Sequence, residues 1–286
     1  MTSNSLIFFL CLGCVGLISC SKSPISSHSK MMVSEKTPSI SSPRRYACVR
    51  IESSIHCDGK LDEGAWECAK WSHEFGDIEG PHKEQPAQRT RFKMMWDQTA
   101  LYIAAEMEET DLWATYDQRD MVVFHENDFE VFIDPTGDRR NYFEIEVNVL
   151  GTIFDLFLHR TYREGGPADH GWNASGMRVG IHALGSINDP SDRDQSWTLE
   201  LTIPWDNLVP PDNAMTSEVW PMIPTVGDIW RVNFSRVQWD LQITDGKYAK
   251  IDGLREHNWT WTPQWEINMH EPRHWGYLEF IDRNDK

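Results

Sequence analysis

Two stretches alternate strictly between apolar and polar side chains, Tyr142-Phe-Glu-Ile-Glu-Val-Asn-Val149 and Ser196-Trp-Thr-Leu-Glu-Leu-Thr-Ile203. Successive side chains of an extended chain point to opposite faces. The first stretch therefore gathers Phe143, Ile145, Val147 and Val149 on one side and Glu144, Glu146 and Asn148 on the other. The second turns Trp197, Leu199, Leu201 and Ile203 inward and Thr198, Glu200 and Thr202 outward. An α-helix with a period of 3.6 residues would scatter either pattern around its circumference, so a β fold is required. Further strand candidates lie at residues 90–96, 100–106, 127–133, 152–159, 229–237 and 276–281. Turn signals such as Asp97-Gln-Thr99 and Asp134-Pro-Thr-Gly137 separate them. Helical patterning is confined to about two turns at 63–70 and one at 204–208. The expected architecture is all-β, an antiparallel β-sandwich with short helices, formed by one domain over residues 46–286.

The first 45 residues do not share this pattern. Residues 1–19 hold an apolar run from Leu6 to Ile18, the length of a signal-peptide core rather than of a membrane span. The run ends in Leu17-Ile-Ser-Cys20, which resembles the lipobox of bacterial lipoproteins and implies cleavage before Cys20 and its lipidation. Residues 1–5 lack the Lys or Arg of a standard signal, and plain secretion is the alternative. Both readings place the protein outside the cytoplasm, the first in the bacterial cell envelope. Residues 20–45 are rich in Ser, Pro and Lys and read as a flexible tether. Cys48, Cys57 and Cys68 remain for the domain; a Cys57–Cys68 disulfide and isolated thiols both fit.

Charge removes whole classes of partner. The chain carries 27 basic and 44 acidic side chains, a formal charge of −17. No basic patch is available to displace counterions from phosphates, so nucleic acid is excluded as a partner. No serine sits in a nucleophile elbow. Asp58-Gly-Lys-Leu-Asp-Glu-Gly-Ala-Trp66 reads as a structural start, with a tight turn and a short capped helix. Glu130, Glu144, Glu146 and Glu200 occupy polar-face positions, with Asp155 at another. Such a row is a solvated or ligand-binding face by default and a hydrolytic carboxylate pair in the alternative. Asp134-Pro-Thr-Gly-Asp138 and Asn188-Asp-Pro-Ser-Asp-Arg-Asp194 have the carboxylate spacing of loops that hold structural calcium.

Fourteen tryptophans need a reason, and Asn258-Trp-Thr-Trp-Thr-Pro-Gln-Trp265 concentrates three of them. Trp259 and Trp261 share one strand face, which is either core or a flat platform. Taken in order, Asp58-Gly-Lys-Leu-Asp-Glu, Trp96-Asp, Glu126-Asn-Asp-Phe-Glu-Val-Phe-Ile-Asp134, Asn148-Val-Leu-Gly, Trp197-Thr-Leu-Glu-Leu-Thr-Ile-Pro-Trp205, Trp230-Arg-Val-Asn-Phe-Ser-Arg236 and Trp275-Gly-Tyr-Leu-Glu-Phe280 resemble the family 9 carbohydrate-binding modules and their DOMON-like relatives. That resemblance covers about residues 50–282. It implies a β-sandwich that holds a sugar between two aromatic walls, with calcium stiffening its loops. It places the family's glutamate at Glu130 and one wall among Trp113, Tyr116 and Phe124. The other wall falls within 259–265, at Trp259 or Trp261. Where the family has an arginine two residues before an asparagine, this chain has Glu146 before Asn148, leaving Arg236 or Arg119 to take that place. The expected function is saccharide or polysaccharide binding by an anchored lipoprotein, beside a glycoside hydrolase. Rivals are a hydrolase with paired carboxylates and a DOMON-like haem domain, which needs Met and His facing the cavity.

Overall fold

The computed structural model describes residues 42–283 apart from 54, 212–213, 215–219 and 221–222. The expected signal peptide, Cys20 and the expected tether up to Ser41 lie outside the described residues. Among the described residues fifteen strands follow one another: β1 Arg45–Arg50, β2 Gly76–Asp77, β3 Thr90–Trp96, β4 Ala100–Glu108, β5 Asp128–Asp134, β6 Tyr142–Asn148, β7 Ile153–Leu158, β8 Ala168–Asp169, β9 Arg178–Leu184, β10 Ser196–Pro204, β11 Ile229–Gln238, β12 Leu241–Thr244, β13 Lys247–Lys250, β14 His257–Thr260 and β15 Gly276–Ile281. Helical structure among the described residues is limited to 3-10 turns, including Gly64–Cys68 and Trp205–Asn207 where the sequence predicts short helices.

The strand order is β8-β7-β6-β5-β11-β15-β1-β3-β4-β10-β9, with β14 added to β11 and β2 to β14. This sheet curls until its two halves face each other. Phe92 of β3 stacks on Phe234 of β11 with ring centroids 3.9 Å apart, although three pairings separate the strands in the sheet. The enclosed core takes the apolar faces of β5 (Phe129, Val131, Ile133), β6 (Phe143, Ile145, Val147) and β10 (Trp197, Leu199, Leu201, Ile203). The all-β sandwich is thus as expected, with one departure. β1 runs parallel to both β15 and β3, because the N-terminal strand slots between them in the direction of each.

The polar residues of the far half are structural. Glu200 of β10 is fully buried and accepts from the amides of Asp58 and Gly59 and from Trp66 Nε1, at 2.8–3.0 Å. It fastens the 58–66 segment over the sheet, which crosses β9 so closely that a Cβ at Gly180 would lie 2.4 Å from Gly59 N. Glu200 is therefore not an outward, solvated residue. Asp155 also leaves the polar row: it accepts from Ala174 N and pairs with Arg119. Cys48 and Cys57 are thiols.

Arg236 defines the depth of the core. Its guanidinium is buried against Glu109 at 2.9 Å, donates to Gln88, Thr90, Gln238 and the Glu108 carbonyl, and lies over the Trp259 ring. Removing one partner of such a pair strands a charge away from water. Glu109→Ala should lower unfolding free energy by about 3–5 kcal/mol in urea denaturation. A loss below about 1 kcal/mol would mean that water reaches Arg236.

Candidate functional site

The opposite face of β5 and β6 is not bulk surface. Asp128, Glu130, Glu144 and Glu146 all point there, and each is 5% exposed or less. Register puts Glu130 directly across from Glu146 and Asp128 across from Asn148. Like charges directly opposed on neighbouring strands repel, so this arrangement opposes folding unless something compensates. The carboxylates are buried because loops rise around them and enclose a cavity of about 500 Å³. Glu130, Glu144 and Glu146 form its floor. Phe132, Phe154, Leu156 and Met269 give it an apolar side, and Asn258, Asn268, His170 and His270 add polar groups. Among the described residues lining it there is no Lys or Arg.

Two aromatic side chains stand at this cavity with much of their rings in solvent, Phe124 at 39% and Tyr162 at 48% exposure. Phe124 sits in the short turn Val123–His125 before β5. Its amide donates to Glu146 Oε2 and its carbonyl accepts from Trp239 Nε1, both at 3.3 Å. Glu126 holds the segment leading there by accepting from the amides of Thr115 and Tyr116. Tyr162 opens the turn Tyr162–Glu164, capped by the Thr161 hydroxyl and closed by Gly165 at φ 69°. Arg163 ties this turn to Glu266 and Glu271, and the Tyr162 ring meets His270 edge-on at 4.5 Å.

The electrostatics follow from burial. Burial pushes Glu130 up to about 7, opposed by the Ser235 hydroxyl beside it. Asp128, Glu144 and Glu146 are pushed well above the usual carboxylate range, by burial first and then by the neighbouring carboxylates, Glu130 foremost for Asp128 and Glu144. Burial lowers His270 to about 4, leaving it neutral, with Nδ1 3.0 Å from the Tyr142 hydroxyl. At neutral pH the floor therefore accepts hydrogen bonds or a positive charge, and whichever carboxyls keep protons can also donate.

Of the residues selected from sequence, the structure brings Glu130, Glu146 and Phe124 to this cavity. The others lie elsewhere. Trp259 and Trp261 belong to the core, at 6% and 0% exposure; Trp261 packs edge-on against Phe92 and Phe234. Arg236 points into the same core from the other face of β11, and Arg119 is held by Asp155 and Asn173. Asn148 is committed to its own turn: Nδ2 donates to the Tyr116 carbonyl and Oδ1 accepts from Leu150 and Thr152 amides. Trp113 is buried at 8% and does not line the cavity. Trp265 is half-buried with φ 67°, packed on Gly80. Sequence reasoning missed Tyr162, Asn258 and His270. The Thr161-Tyr-Arg-Glu-Gly-Gly166 turn, an aromatic held up by a capping threonine and two glycines, was the available signal for Tyr162.

In the two loops with the carboxylate spacing of calcium loops, backbone amides reach the acids. Asp134 accepts from the amides of Gly137 and Arg139, and Asp194 from those of Leu112 and Ser186. A second cleft of about 480 Å³ is lined by Trp239, the edge of Trp259, His257 and Asp111.

Residues 57–283 match the model of the carbohydrate family 9 binding domain-like family. A family 9 module from Caldicellulosiruptor kristjanssonii, solved with cellotriose, is 17% identical with a TM-score of 0.52, covering 85% of this chain and 96% of that one. The glucose complex of a module from that organism gives 17% and 0.52, covering 85% of this chain and 98% of its own. A candidate carbohydrate-binding protein from Bacteroides uniformis is 16% identical with a TM-score of 0.59, covering 84% of this chain and all of its own. No curated protein matches the chain.

The raised carboxyls make a pH prediction. The Glu130 proton is kept on folding and lost on unfolding, so its contribution to stability is complete below about 4.5 and disappears as pH rises through about 7. His270, lowered to about 4, acts in the opposite sense over the same window. In chelator, the melting temperature of wild type relative to Glu130→Gln should fall between pH 5 and 8; parallel profiles would contradict the assignment.

Proposed function

The chain belongs to the family 9 carbohydrate-binding domains, and from that premise we propose that it captures a saccharide in the cavity floored by Glu130, Glu144 and Glu146. The observation that carries the reading is the pairing of a buried carboxylate floor with solvent-exposed rings, Phe124 and Tyr162, in one cavity. A pyranose has an apolar C–H face that rests on an aromatic ring and a rim of hydroxyls that donate to carboxylates. The volume, about 500 Å³, suits one or two sugar rings rather than a polymer lying along a groove. Glucose and cellotriose, the ligands of the two structural relatives, are the first compounds to try.

The hydrolase alternative rests on Glu130 and Glu146, whose oxygens approach within 4.8 Å. Both rise from one floor on neighbouring strands, whereas glycosidic cleavage needs two carboxyls flanking the scissile bond. The haem alternative has Met269 and His270 at the cavity, but as consecutive residues they do not face each other across a macrocycle.

Around this activity we place an envelope lipoprotein, lipidated at Cys20, that holds glycan fragments near a hydrolase during glycan breakdown. The lipobox-like Leu17-Ile-Ser-Cys20 supports the anchor. In detergent phase separation the wild type should enter the detergent phase and Cys20→Ala the aqueous phase. Equal partitioning would leave plain secretion.

Calorimetric titration of the purified protein should give saccharide dissociation constants of micromolar to millimolar, about 4–8 kcal/mol. Glu130→Gln should weaken binding by about 1.5–3 kcal/mol and Phe124→Ala or Tyr162→Ala by about 0.5–1.5 kcal/mol. Trp261→Ala should instead remove about 3–5 kcal/mol of folding stability, as core aromatic truncations do. Wild-type affinity in all three cavity variants would reject the site; turnover of a glycoside lost in Glu130→Gln would promote the hydrolase.

A further inference from the structure

The carboxylate floor has a geometry that hydrogen bonding to a sugar does not require. One oxygen each of Asp128, Glu130 and Glu146 lie within 4.8 Å of one another, all buried. Ligand oxygens on a calcium ion sit about 2.3–2.6 Å from it, so two of them are separated by roughly 5 Å at most. The three oxygens therefore fit around one ion of that size. Two further observations point to a ligand rather than to internal pairing. Asp128 Oδ1 accepts from Val237 N, while its Oδ2 is buried and meets no hydrogen-bond donor. Ser235, fully buried and directly across from Glu130 in the β5–β11 register, turns a hydroxyl to the same side that makes no hydrogen bond of normal geometry. These are hard oxygen donors with no sulfur among them, the set that selects calcium-type cations over zinc. Arg236 is held on the other face of β11 by Glu109 and acts on Asp128 only from there.

We propose that Asp128, Glu130 and Glu146 form a site for one divalent cation of calcium type at the floor of the cavity, and that saccharide capture depends on it. Glu130 and Glu146 line the cavity, so an ion between them would present its remaining coordination positions to whatever enters. Vicinal sugar hydroxyls are hard oxygen ligands of the kind that fill such positions. This second half rests on the saccharide reading; the cation site does not.

The test is a calorimetric titration of chelator-stripped protein with calcium chloride alone, followed by glucose and cello-oligosaccharide titrations in calcium and in chelator. Wild type, Glu146→Gln and Asp128→Asn are compared, with circular dichroism to confirm the fold. The Glu146→Gln change relieves a repulsion, and Asp128→Asn keeps the acceptor for Val237 N, so both variants should fold. The expected result is calcium uptake weakened at least tenfold in both variants, and saccharide affinity at least tenfold lower in chelator. Uptake that is absent, or identical in the three proteins, overturns the cation site whatever the sugars do. Saccharide bound equally in calcium and in chelator overturns the dependence. Calcium uptake as expected with no saccharide bound in either condition supports the site and rejects the saccharide reading. Glucosamine bound only in chelator, with no calcium uptake, would overturn the cation site and assign the floor to a cationic ligand.

Discussion

The register between Asp128–Asp134 and Tyr142–Asn148 is the constraint on which the rest of the molecule depends. With Glu130 fixed opposite Glu146, Phe129 and Val147 must enter the core together. A slip of one residue would reverse every side chain and bury the carboxylates in the sandwich, so the apolar face locks the register. The repulsion on the other face is then a consequence that cannot be relieved locally. Hydrophobic burial on one side holds four acids together on the other, and the loops that close over them take them out of water.

That arrangement explains why the basic and aromatic groups divide as they do. Arg236, one residue after Ser235, is on the wrong face to neutralise Glu130, and it serves instead as the buried partner of Glu109. Trp259 lies across from Arg236 in the strand pairing and must follow it inward. Trp261 follows by the two-residue period and packs so tightly that a Cβ on Gly276 would lie 2.1 Å from its ring. The rings left for solvent are smaller and come from loops, Phe124 and Tyr162, each held by backbone and ion-pair contacts rather than by core packing. A stable scaffold and an adaptable rim are thus built from different aromatic residues.

Much of the fold was legible because period-two alternation survives wherever one strand face is apolar. Thr90–Trp96 and Gly276–Ile281 begin and end where the pattern does. Arg178–Leu184 was not legible: it is an edge strand interrupted by Gly180, where another segment passes too closely for a side chain. At the site, Glu130, Glu146 and Phe124 were within reach because strand position or flanking motif marks them. Asn148, Arg236, Trp259 and Trp261 lie away from this cavity for one reason: face and partner are set by pairing with a distant strand or loop, which local sequence does not encode. Tyr162 and His270 meet only through loops far apart in the chain.

The position of a bound sugar tests the central claim most directly. A crystal structure of the protein grown with calcium and cellotriose should show a pyranose against Phe124 or Tyr162, with hydroxyl oxygens within hydrogen-bonding or coordination distance of the Glu130–Glu146 floor. A sugar seated instead in the cleft of Trp239 and Trp259, with the carboxylate cavity untouched, would contradict the account.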